Sequence, residues 1–129
     1  MNSNYSIVRR EVQKAYADCI SDSEQAYEQR DLNFLSSLTV TVKDAIRILR
    51  EVVPSYNEFE PANLRGLDEN AQLYIAREGS VCVYVLGEKP TKTKKLLCDE
   101  FNYYPIAYQK KYGPKLFVIP GPVTRIWWD

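Results

Sequence analysis

The sequence predicts an α+β fold: two N-terminal amphipathic helices packed on a small antiparallel sheet, with one further short helix, in the order α-α-β-β-α-β-β. Three observations carry this. Apolar residues recur at three-and-four spacing through the N-terminal part, a β-hairpin pattern follows, and the C-terminal part breaks into short aromatic strand-like pieces punctuated by Gly and Pro. At 129 residues the chain suits one domain over 1–129, with a helical part at 1–53 and a sheet part with the short helix at 71–129.

From Tyr5 to about Tyr27, Val8, Val12, Ala15, Tyr16, Cys19 and Ile20 form one helical stripe, which predicts the first helix. Leu35, Leu38, Val42, Ala45, Leu49 and Val52 continue the same periodicity and predict the second, ended by Pro54. Its β-branched run Leu38-Thr39-Val40-Thr41-Val42 admits a competing reading, in which Thr39 or Thr41 caps a shorter helix beginning near Val42. Residues 54–70 follow neither period and read as a wrapping loop pinned by Tyr56, Phe59 and Leu64. AQLYIAR and SVCVYVLG, joined by Glu78-Gly79, read as a hairpin. Its second strand is apolar on both faces, Val81, Val83 and Val85 on one and Cys82, Tyr84 and Leu86 on the other, so it belongs at the centre of a sheet. TKTKKLLCDEFN is the third helix candidate, and YYPIAYQ, KLFVIPG and VTRIWWD are the remaining strands.

Charge and composition narrow the function. Seventeen Lys/Arg balance seventeen Asp/Glu, yet residues 1–70 hold eight basic against twelve acidic side chains (net −4) and residues 71–129 nine against five (net +4). No apolar run is long enough to span a bilayer, and three cysteines without C-x-x-C spacing read as reduced thiols. A soluble, cytoplasmic protein without membrane contact is expected.

The chain has no histidine, which excludes Ser-His-Asp and Cys-His pairs and leaves no zinc ligand set at the cysteine spacing observed. Cys98, past a lysine-rich helix start, is the one thiol with a nucleophile's surroundings, but a small core residue beside Leu96 and Leu97 is the plainer reading. Acidic residues Glu58, Glu60, Asp68 and Glu69 match no metal loop. Gly87 could open a phosphate loop, but Lys92 stands where its second glycine belongs and Thr93 where its lysine belongs. No catalytic residue, cofactor or metal is therefore expected.

Two surface features remain. Lys89, Lys92, Lys94 and Lys95 gather at a predicted helix start, where the backbone dipole is already positive and Lys92, Lys94 and Lys95 crowd the first turn: either an anion meets them, or they splay into water or the helix starts later. Eight of sixteen aromatic residues lie in the last twenty-nine positions, where Tyr108, Tyr112, Trp127 and Trp128 are interleaved with Lys110, Lys111 and Arg125. Such a mixture suits a protein interface, where Tyr, Trp and Arg are the enriched anchors. It also suits single-stranded nucleic acid, through phosphate pairing and base stacking. In a strand, one of the two adjacent tryptophans would face away from the core and be exposed or covered by a partner. The sequence therefore reads as a small non-enzymatic interaction module, a regulator, inhibitor or assembly subunit that binds a protein partner or self-associates as a homodimer. A nucleic-acid-binding module using the basic, aromatic half is the alternative.

Overall fold

The structure, a computed structural model, describes residues 3–17, 33–53, 60–78, 80–87, 100–104, 108–112, 115–119 and 123–128; of residues 3, 33, 78 and 100–119 within these ranges it describes the backbone alone. Helices lie beside an antiparallel sheet, the α+β arrangement. The element order differs from the expected one. It runs helix α1 (Ser3–Ala15), strands β1 (Asn33–Leu35) and β2 (Val40–Thr41), helix α2 (Val42–Val52), a 3-10 turn (Pro61–Gly66), and strands β3 (Gln72–Glu78), β4 (Ser80–Leu86), β5 (Glu100–Tyr104), β6 (Tyr108–Tyr112), β7 (Lys115–Ile119) and β8 (Val123–Trp127).

In α1 the expected stripe is inward: Val8, Val12 and, just past the helix, Tyr16 are fully buried. The rest of the helix expected to reach Tyr27 falls on residues 18–32, outside the described residues. The long helix expected over Leu35–Val52 is a correction. Its first half is extended, because Val40 and Thr41 pair with Leu73 and Gln72 of β3 and Leu35 pairs with Ala76. β-branched side chains favour that backbone over a helix. Helix α2 begins only where Thr41, in extended conformation, accepts the Asp44 N–H through Oγ1 at 3.2 Å, the N-cap of the competing reading.

Between those two pairings four residues, 36–39, face two on β3, so the edge strand bulges. Ser36 fills the bulge. Its N–H donates to the Ile75 carbonyl, while its Oγ accepts from the Ile75 N–H at 3.1 Å and donates to the Leu38 carbonyl. Helix α1 satisfies more of its backbone: Asn4 donates to the Thr39 carbonyl and Glu11 accepts the Ser37 N–H.

The sheet order is β1-β3-β4-β8-β5, with β2 also on β3, and β6-β7 form a separate two-stranded sheet. β4 is central, as its two-sided pattern predicts. Val81, Val83 and Val85 join Leu73, Ile75 and Ile126 beneath the helices, and Cys82 and Tyr84 join Ala76 and Val123 on the other face. Burying each such aliphatic side chain contributes about 1.5–3 kcal/mol. The third helix candidate is partly corrected. Residues 91–99 lie outside the described residues, whereas Glu100, Phe101 and Asn102 are strand, paired with Trp127, Ile126 and Arg125. The segment YYPIAYQ is divided between β5 and β6.

One side-chain cluster fastens the end of α1 to the sheet. The Tyr16 hydroxyl donates to the Ala76 carbonyl at 2.7 Å. Fully buried Arg77 donates through Nη1 to the Ala15 carbonyl at 2.9 Å and lies 4.8 Å from the centre of the Tyr16 ring. A cation there also meets the negative end of the helix dipole.

Candidate functional site

The 3-10 turn is set against α2 by Leu64 and Leu67, both in the main core, and is begun by Glu60, whose carboxylate accepts the Ala62 N–H ahead of Pro61. This leaves a cleft of about 510 Å³ between the two elements. Val42, Ile46 and Leu67 form its floor, each 5–7% exposed. Lys43, Arg47 and Arg50, at positions i, i+4 and i+7 of α2, and Arg65 of the turn stand around it, with Glu51 and Glu69 the two acids. The aliphatic stems of the basic residues extend the apolar surface, and their heads make the rim positive.

Glu51 is already engaged. Its Oε1 accepts from the Tyr5 hydroxyl at 2.6 Å and from Arg9 Nε at 3.2 Å, and its Oε2 from Arg47 Nε at 3.4 Å. The Arg47 guanidinium also covers the Tyr5 ring at 4.6 Å. These bonds clasp the first turns of α1 to the last turns of α2. The Tyr5 hydrogen bond, followed by that from Arg9, holds the Glu51 carboxyl below its ordinary range. Donation to Glu51, aided by desolvation, raises the Tyr5 phenol. Both shifts move these groups away from neutrality, whereas general acid–base work favours groups that titrate near it. Among the described residues, Lys43, Arg50 and Arg65 have no ion-pair or hydrogen-bond partner for their side chains.

The chain matches no protein-family model, characterised protein or solved structure.

The residues expected to form a partner surface are distributed differently. Lys89, Lys92, Lys94 and Lys95 lie outside the described residues. Tyr108, Lys110, Lys111 and Tyr112 share strand β6, opposite Ile119, Phe117, Leu116 and Lys115 of β7. Arg125 and Trp127 lie on one face of β8, the guanidinium 5.8 Å from the Trp127 ring centre, with Arg125 only 7% exposed and Trp127 half-buried. Of the two terminal tryptophans, Trp128 is the one that faces the main core. It is 1% exposed within the main core, and its N–H donates to the Val81 carbonyl. Neighbouring tryptophans take opposite faces: Trp128 joins the main core and the half-buried Trp127 packs against the second cluster.

The cleft itself is not among the sequence expectations. The basic i, i+4, i+7 spacing in VKDAIRILREV was available as a signal; the contribution of Arg65 and Leu67 required the fold. Among the described residues no group of three His, Cys, Asp or Glu side chains could hold a metal ion, and no helix is long and apolar enough to cross a membrane.

Proposed function

We propose that this chain is a single-domain, non-enzymatic interaction module, a cytoplasmic regulator, inhibitor or assembly subunit that acts by binding a protein partner. The observation that carries this reading is the cleft between α2 and the 3-10 turn, where three cations without an ion-pair partner among the described residues surround an apolar floor. A surface of that kind gains free energy from a partner with opposite charge and apolar side chains. The lysines Lys89 to Lys95 and the β6 residues Tyr108, Lys110, Lys111 and Tyr112, which belong to the positive C-terminal half of the sequence rather than to the cleft, are proposed as further contacts; that half also suits self-association with the acidic N-terminal half of a second copy.

Affinity purification from the native host, with and without nuclease, tests the reading. The expected outcome is a protein partner that survives nuclease and is lost from the variant carrying Arg50→Glu and Arg65→Glu. Recovery of partners only through nucleic acid would replace it with the nucleic-acid reading.

A further inference from the structure

We infer that the cleft takes an acidic amphipathic segment of the partner protein, whose bulky apolar side chains cover Val42, Ile46 and Leu67 while its carboxylates meet Lys43, Arg50 and Arg65. This rests on the proposed function and specifies the ligand's chemistry. The cleft volume of about 510 Å³ falls in the range of about 300–1,000 Å³ typical of sites that enclose a ligand. It has room for more than a bare anion, and an inorganic phosphate would leave the apolar floor wet.

Charge fixes the sign. Arg47 is shared between Glu51 and the Tyr5 ring, so the cations open to a ligand are Lys43 and Arg50 on α2 and Arg65 across from them. Lys43 and Arg50 are seven residues apart, about 10 Å along the helix axis. Two carboxylates seven apart on a partner helix span the same distance. A nucleic-acid strand fits less well. Among the described residues no aromatic ring lines the cleft to stack a base.

The test titrates the full chain into a fluorescein-labelled fourteen-residue helical peptide with Glu at i, i+4 and i+7 beside a Leu/Phe stripe. Two controls replace Glu by Lys, or Leu/Phe by Ser. The acidic amphipathic peptide should bind at least tenfold more tightly than either control, more weakly at high salt, and at least tenfold more weakly to the Arg50→Glu, Arg65→Glu variant. The milder Arg50→Gln, Arg65→Gln variant should be intermediate, with thermal melting of both unchanged. Equal binding of the Ser control, or equal binding by the charge-reversed variant, would overturn the inference. A labelled oligothymidylate that binds more tightly than the peptide and is lost with the same substitutions would overturn it in favour of nucleic acid. A dimer abolished by those substitutions, with no peptide binding, would do so in favour of a second copy. If the peptide fails while the nuclease-resistant partner still depends on Arg50 and Arg65, the proposed function stands and the amphipathic ligand does not.

Discussion

Replacing Tyr16 by Phe removes one oxygen atom from a fully buried site and leaves the ring on Arg77 in place. The hydroxyl donates to the Ala76 carbonyl at 2.7 Å, joining residues 60 apart in the chain. A net hydrogen bond contributes about 1 kcal/mol, and a buried acceptor left without its donor costs about 1–3 kcal/mol. A loss of about 1–2 kcal/mol is therefore expected. For a chain of this length that corresponds to a fall in Tm of about 3–8 °C. Urea unfolding should show a lower midpoint with an unchanged slope, since the surface exposed on unfolding is the same. Tyr16→Leu removes the ring as well. A double-mutant cycle with Arg77→Met should then return a coupling of about 0.5–2 kcal/mol, the range for a cation over an aromatic face. A Tyr16→Phe variant within about 0.3 kcal/mol of the parent would refute the hydroxyl's role. Strict additivity of Tyr16→Leu and Arg77→Met would refute the ring contact.

Thr41→Ala should cost about 1 kcal/mol in chemical denaturation by removing the N-cap of α2, and Thr41→Asp should restore most of it. Cys82→Ser should destabilise by about 1–3 kcal/mol through a hydroxyl placed in an apolar cluster, while a thiol reagent leaves Cys82 unmodified in the folded protein. Glu51→Gln should open a stability gap that is full near neutral pH. Because the Glu51 carboxyl is held below its ordinary range, its contribution exists above that range and fades as acid protonates it; because the Tyr5 phenol is raised, its share persists below about pH 10 and is lost at higher pH. Melting curves across pH, with and without the substitution, would show the gap closing at both ends.

Side-chain periodicity revealed those elements whose burial pattern and backbone preference agree. The hairpin and the two-sided strand β4 are of this kind: alternation, β-branched residues and a sheet neighbour on each side all favour the same backbone. Leu35 to Thr41 is the opposite case. Its apolar spacing fits a helix, but pairing with the edge of β3 decides the conformation, and the bulge at residues 36–39 happens to preserve a helix-like spacing. Glu100 to Asn102 follow the same rule, since their strand partners lie about 25 residues ahead, beyond any local window. The cleft was half legible. The basic stripe on α2 can be read from spacing, whereas Arg65 and Leu67 come into place only through the packing of the 3-10 turn.

The position of β8 between β4 and β5 governs how the chain must be made. The strand that completes the middle of the sheet is synthesised about forty residues after β4 ends, which at about 5–20 residues per second is a delay of about 2–8 s. During that interval β4, apolar on both faces, has β3 on one side and an open backbone edge on the other. Open apolar edges recruit strands from other chains. The yield of folded protein is therefore expected to depend on nascent-chain concentration and on ribosome-bound chaperones that shield Ser80–Leu86.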